Sequence, residues 1–123
     1  MAKVWVIEDE DVVAQLVIGL LQANKYEVTR FCGGQEAINA LQTQSHPDLV
    51  ILDLMMPPPD GNDVLSLINK LGYPPVLILT AYPGHLHESL LGVPIGIIGK
   101  PFRLEELLSS VKSAITHKSG GAS

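Results

Sequence analysis

The stretch 49–61, Leu-Val-Ile-Leu-Asp-Leu-Met-Met-Pro-Pro-Pro-Asp-Gly, does most to limit what this chain can fold into. Leu49 to Leu52 is a short, branched apolar run of the kind that forms a strand buried on both faces. It stops at a carboxylate, Asp53, and passes into a loop of three consecutive prolines, Pro57 to Pro59, closed by Asp60-Gly61. Proline lacks the donor a central strand requires, so the strand must end before it. Asp53 is therefore expected where a buried strand meets its loop. In open α/β sheets that carboxyl edge is where ligands bind.

Around this stretch, strand-like and helix-like segments alternate. Val4 to Ile7 is apolar and runs into Glu8, Asp9, Glu10 and Asp11. Val13, Leu16, Val17, Leu20 and Leu21 then form the stripe of an amphipathic helix, stopped at Asn24. Glu27 to Phe31 alternates as a half-exposed strand does, and Gly33-Gly34 breaks it. Ala37, Ile38 and Leu41 mark a second helix. Val64, Leu65, Ile68 and Leu71 mark a third, ended by Gly72 and Pro74-Pro75. Val76 to Leu79 is a further apolar strand running into Thr80-Ala81. Between Pro83-Gly84 and Gly92/Pro94 there is room for at most two helical turns, around His85 to Leu91. Ile95 to Gly99 is the last strand, followed by Lys100-Pro101, and Leu104, Leu107, Leu108, Val111 and Ile115 outline the last helix. Five strands alternating with about five helices predict a doubly wound α/β fold, a parallel sheet with helices on both faces.

With 123 residues, 46% of them hydrophobic and 17% charged, the chain has the size and composition of one globular domain. Residues 1–117 are assigned to that domain and 118–123 to a flexible tail or linker. The net charge of −5, without a Lys/Arg cluster, argues against direct nucleic-acid binding. No apolar run is long enough to span a membrane, and the single cysteine, Cys32, fits a reducing compartment. A cytoplasmic location is expected, with Cys32 as core filler.

In a parallel sheet the strand ends share one edge. That edge would gather Glu8 and Asp9, Asp53, Thr80 with Ala81, and Lys100. Clustered carboxylates repel and force protonation unless a cation neutralises them. Mg²⁺, with its preference for oxygen ligands, suits such a cluster. Asp53 could then act as a nucleophile toward phosphorus, with the metal, Lys100 and Thr80 taking charge from the phosphoryl oxygens.

The order Glu8-Asp9, Asp53-Leu-Met-Met-Pro with Asp60-Gly61, Thr80-Ala81 and Lys100-Pro101-Phe102 resembles the receiver domain of bacterial two-component response regulators. The likeness covers nearly the whole chain. It implies a flavodoxin-like fold with strand order 2-1-3-4-5 and a phosphorylation-controlled signalling role rather than turnover of a metabolic substrate. It implies Asp53 as phosphoacceptor from a sensor histidine kinase, a histidine phosphotransfer protein or a small phosphodonor. Mg²⁺ (or Mn²⁺) would be held by Glu8, Asp9, Asp53 and the Met55 backbone carbonyl. Thr80, Lys100 and the Ala81 backbone N–H would meet the phosphoryl group, and Lys100-Pro101 would be a cis peptide.

The sequence departs from the family in one region. Receivers usually carry Tyr or Phe three residues before the lysine, where this chain has Ile97, and the stretch from Thr80 to Lys100 is short for the family. A short or shifted fourth helix is expected, with Tyr82 as a substitute switch ring. Met55 and Tyr82, both bulky, would crowd the line of water attack and slow loss of the phosphoryl group. The competing reading is a degenerate receiver acting as a constitutive protein-interaction module. An Asp-nucleophile phosphatase is disfavoured because Met55 stands where a second catalytic Asp is needed. Flavin binding is disfavoured by the acidic run Glu8 to Asp11, and His85-x-His87 lacks further ligands for a transition metal. Whether the receiver acts alone or belongs to a longer regulator or hybrid kinase is open at this stage.

Overall fold

The computed structural model describes residues 1–121. Five parallel strands, β1 (Lys3–Ile7), β2 (Glu27–Phe31), β3 (Leu49–Leu52), β4 (Val76–Thr80) and β5 (Gly96–Gly99), form one sheet in the order β2-β1-β3-β4-β5. This is the expected flavodoxin-like order. Alternate residues serve opposite faces, as the two-residue strand period requires. Trp5, Ile7, Val50, Leu52, Val76 and Ile78 pack with α2 (Gly34–Thr43) and α3 (Gly61–Leu71). Val4, Val6, Leu49, Ile51, Leu77, Leu79 and Ile98 pack with α1 (Asp11–Ala23) and α4 (Leu104–Gly121). All four residues of β3 are buried, in keeping with a central strand covered on both sides.

The helix ends follow from local chemistry. The Asp60 side chain accepts the Asp63 N–H at 3.1 Å, and Asp63 accepts the Asp60 N–H at 2.9 Å, a reciprocal cap on α3. Gly72 closes the same helix with φ 81°, a left-handed position that favours glycine. Two starts are pinned by close approach. A Cβ on Gly34 would overlap the Pro59 carbonyl, and one on Gly61 would overlap the Asp53 carbonyl and the Leu54 backbone. These two glycines hold the triple-proline loop against the sheet edge.

Three expectations need correction. Four α-helices are present among the described residues, not about five. Residues 82–94 contain two single 3₁₀ turns, Pro83–His85 and Glu88–Leu90. Leu86 and His87 between them are extended, Pro83 opens the segment, and Gly92 and Pro94 close it, so no helix can nucleate. Secondly, Cys32 is exposed, because the inward position at the end of β2 is taken by Phe31, packed edge-on against Trp5. Thirdly, α4 runs to Gly121, past Lys118, where the tail was expected to begin. The remainder of that expected tail, residues 122–123, lies outside the described residues.

The 82–94 segment is tied down from α3. Asn62, only 1% exposed, donates from Nδ2 to the His85 carbonyl at 3.0 Å and accepts the His87 N–H at 2.8 Å. Leu86 and Leu90 fill the core below. Asn62→Ala is expected to cost about 1–3 kcal/mol, the penalty of stranding buried polar groups. Amide exchange at His87 should accelerate well before exchange in β3 does.

Candidate functional site

The carboxyl ends of β1, β3, β4 and β5 bring together an acidic cluster. Asp53, 3% exposed, follows β3, and its N–H donates to the Ile7 carbonyl at 3.1 Å. Its Oδ1 accepts the Met55 N–H at 3.2 Å, which fixes the carboxylate plane at the start of the proline loop. Lys100 follows β5, where its N–H donates to the Thr80 carbonyl at 2.8 Å. Its Nζ lies 2.6 Å from Glu8 Oε1, 3.1 Å from Asp53 Oδ2 and 3.5 Å from Glu10 Oε1. The Lys100-Pro101 peptide is cis. Thr80 is fully buried at the end of β4, and its Oγ1 accepts the Tyr82 N–H at 3.2 Å, which leaves the hydroxyl proton free to be donated.

Three carboxylates, Glu8, Glu10 and Asp53, each offer an oxygen within 4.8 Å of the others. Asp9 is exposed and is not one of the three. The extended backbone at Glu10 (φ −80°, ψ 112°) continues the strand's two-residue alternation, so Glu8 and Glu10 share a side. Glu10 is the site residue that sequence reasoning passed over, and the i, i+2 spacing was its signal. Ala81 is exposed at the end of β4, Met55 is 41% exposed, and Tyr82 (61%) and Ile97 (42%) lie on the surface.

One ammonium among three carboxylates leaves the cluster net negative. Burial pushes the Glu8 carboxyl up, and the Asp53 charge adds to this. The Lys100 hydrogen bond opposes the rise, and the outcome is about 7, against an ordinary 4.5. Burial alone would lower the Lys100 ammonium, but its hydrogen bond to Glu8 and the charges of Glu8 and Asp53 hold it above its usual value. The native metal-free protein therefore binds more protons than the unfolded chain between pH 4.5 and about 7. Its stability should fall across that window as pH rises, by about 3 kcal/mol at most. Glu8→Gln should flatten the slope, as denaturant unfolding at several pH values would read out.

A family model described as the response regulator receiver domain matches residues 4–112. The chain belongs to the response regulator receiver domain family. Two curated relatives of this receiver are a probable transcriptional regulator, ycf27, of Cyanophora paradoxa, 33% identical, and the regulatory protein VanRc of Enterococcus gallinarum, 34% identical. Each alignment takes in 92% of this chain, and the receiver spans about half the length of both relatives, 48% and 49%. Among solved structures it is similar to the response regulator TrrA of Thermotoga maritima in complex with Mg²⁺-BeF, with 30% identity and a TM-score of 0.84. That superposition covers 93% of this chain and 99% of TrrA. A Francisella response regulator receiver domain gives 28% identity and a TM-score of 0.85, covering 96% of this chain and 99% of that one. Among the described residues, no helix of the receiver is long and apolar enough to cross a membrane.

Proposed function

We propose that this receiver accepts a phosphoryl group on Asp53 from the phosphohistidine of a sensor kinase or histidine phosphotransfer protein, or from a small phosphodonor. The observation that carries this reading is the buried Asp53 carboxylate held 3.1 Å from Lys100 Nζ at the sheet's carboxyl edge, beside Glu8 and Glu10. An Asp53 oxygen attacks phosphorus and a new P–O bond forms. The P–N bond of the donor breaks, and its electron pair stays on the imidazole nitrogen, which takes up a proton. Lys100, already bridging Glu8 and Asp53, supplies positive charge to the phosphoryl oxygens, and the Thr80 hydroxyl supplies a hydrogen bond.

The donor set fits Mg²⁺: it is all oxygen, hard, and in excess of the single ammonium that shares it. Glu8, Glu10 and Asp53 would hold the ion, and the Met55 carbonyl and Asp9 are the further donors that the family resemblance implies. The ion would supply positive charge against the phosphoryl oxygens. The Mg²⁺-BeF complex of TrrA, a similar protein, supports this reading. By the family resemblance Met55 and Tyr82 would flank the acceptor, and their bulk would slow hydrolysis of the acyl phosphate.

One observation favours a second reading, a constitutive interaction module. The 82–94 segment has no helix to shift, and Ile97 stands where a switch aromatic is usual. Treatment with acetyl phosphate and Mg²⁺ separates the two. A single phosphoryl adduct by intact mass, absent from Asp53→Asn and after chelation, supports the receiver. No adduct on folded protein supports the module.

A further inference from the structure

Arg30 has no part in the phosphoacceptor chemistry above, yet it is the best-bonded cation beside it. It is paired in register with Val6, near the end of β2, and its side chain is 16% exposed. Its Nε and Nη2 both donate to the Glu8 backbone carbonyl, at 3.2 and 2.9 Å. Its Nη1 meets Asp11 Oδ1 at 2.8 Å. The Glu8 N–H in turn donates to the Phe31 carbonyl at 3.1 Å, so β2 grips residue 8 on both sides of its Cα. A single planar fork thus ties the two ends of the 8–11 loop, at Glu8 and at the first residue of α1.

Within that loop the internal support is thin. The Glu10 N–H reaches Glu8 Oε2 at 3.3 Å, near the long limit of a hydrogen bond. The carboxylates of Glu8 and Glu10 must nevertheless stay close to that of Asp53 against mutual repulsion. We infer that Arg30 is a positioning residue: its fork on the Glu8 carbonyl and Asp11 fixes the 8–11 loop and so sets the site's affinity for a divalent cation. This inference rests on the reading that the site takes Mg²⁺.

Geometry and charge predict opposite results. As a bare positive charge near carboxylates, Arg30 would weaken cation binding, and removing it would tighten binding. As a positioning group it does the reverse, since partners that orient metal ligands are commonly worth tenfold or more in affinity. Lysine keeps the charge but cannot form the fork, whereas glutamine keeps a donor for the Glu8 carbonyl without the charge.

The test is calorimetric titration of the full chain with Mg²⁺, for the unaltered protein and for Arg30→Ala, Arg30→Lys and Arg30→Gln. Metal-free amide exchange at Glu10 and Asp11 is followed in parallel. The expected result is affinity weakened about tenfold in Arg30→Ala and Arg30→Lys, with Arg30→Gln, which can keep one bond to the Glu8 carbonyl but not the Asp11 pair, weakened less than Arg30→Ala. Exchange at Glu10 and Asp11 should rise in the first two. Tighter binding in Arg30→Ala and Arg30→Gln, or lowered melting temperatures with unchanged affinity, would overturn the inference. If Arg30→Ala fails to fold, the Lys and Gln variants decide alone. An unaltered protein that takes no Mg²⁺ refutes the metal reading and this inference with it, whereas normal binding unchanged in every variant refutes Arg30's role only.

Discussion

Gly61→Ala is expected to lower stability by about 3 kcal/mol, roughly 10 °C in melting temperature for a domain of this size, and to slow phosphoryl acceptance. The added Cβ would overlap the Asp53 carbonyl and the Leu54 backbone, neither of which is the yielding end of a flexible side chain. The Gly61 N–H also donates to the Leu54 carbonyl at 3.0 Å, so α3 cannot retreat without breaking that bond and loosening the cap at Asp60. Whatever moves, the backbone of Asp53, the proposed acceptor, moves with it. Gly33→Ala is the control. Its Cβ meets nothing within 4 Å and its backbone is extended, so stability and acceptance should barely change. Thermal unfolding of both variants with and without Mg²⁺ checks the pair, and equal losses in the two would contradict the close-approach argument.

Lys100→Ala should separate folding from chemistry. It removes the cation lying 2.6 Å from Glu8 and 3.1 Å from Asp53 and leaves two buried carboxylates facing each other. Breaking a buried pair on one side costs about 3 kcal/mol or more. In the metal-free protein that loss should grow as pH rises through about 7, where Glu8 of the parent gives up its proton and gains most from Lys100. Mg²⁺ should restore much of the stability by replacing the lost charge. It should not restore the rate of phosphoryl acceptance, which is expected to drop about a hundredfold, because the donor aimed at the transferring oxygens is gone. Acceptance near the parent rate in Lys100→Ala would remove Lys100 from the mechanism and leave it a purely structural charge.

The sheet, and the residues that meet at its carboxyl edge, were legible because both are written in short-range patterns. Apolar runs ending in Glu8, Asp53, Thr80 and Lys100 are visible by eye, and parallel connection brings their ends together. The residues that were harder to read depend on what lies across from them. Glu10 was read only as part of the acidic run Glu8 to Asp11, and the extended backbone before α1 brings its carboxylate near those of Glu8 and Asp53. Asn62 sits in an amphipathic helix where a polar residue reads as surface. It is buried because the 82–94 backbone, lacking a helix of its own, needs its amide. Arg30 in β2 reads as a half-exposed strand charge, and nothing local reveals that the Glu8 carbonyl, β1's last turn away from the sheet, is its partner. Cys32 misled for the simplest reason. Cys32 lies just past the end of β2, where Phe31 takes the buried position and the cysteine is left exposed.

The site of the phosphoryl group is the most direct test of the central claim. After reaction with acetyl phosphate and Mg²⁺, reduction with borohydride converts an aspartyl phosphate to homoserine, which peptide mapping locates. Homoserine at position 53 alone, lost in Asp53→Asn and after chelation of the metal, is the expected result. Homoserine at Asp60 or Asp63, or an adduct that resists borohydride and maps to His85 or His87, would contradict the assignment of Asp53 as the acceptor.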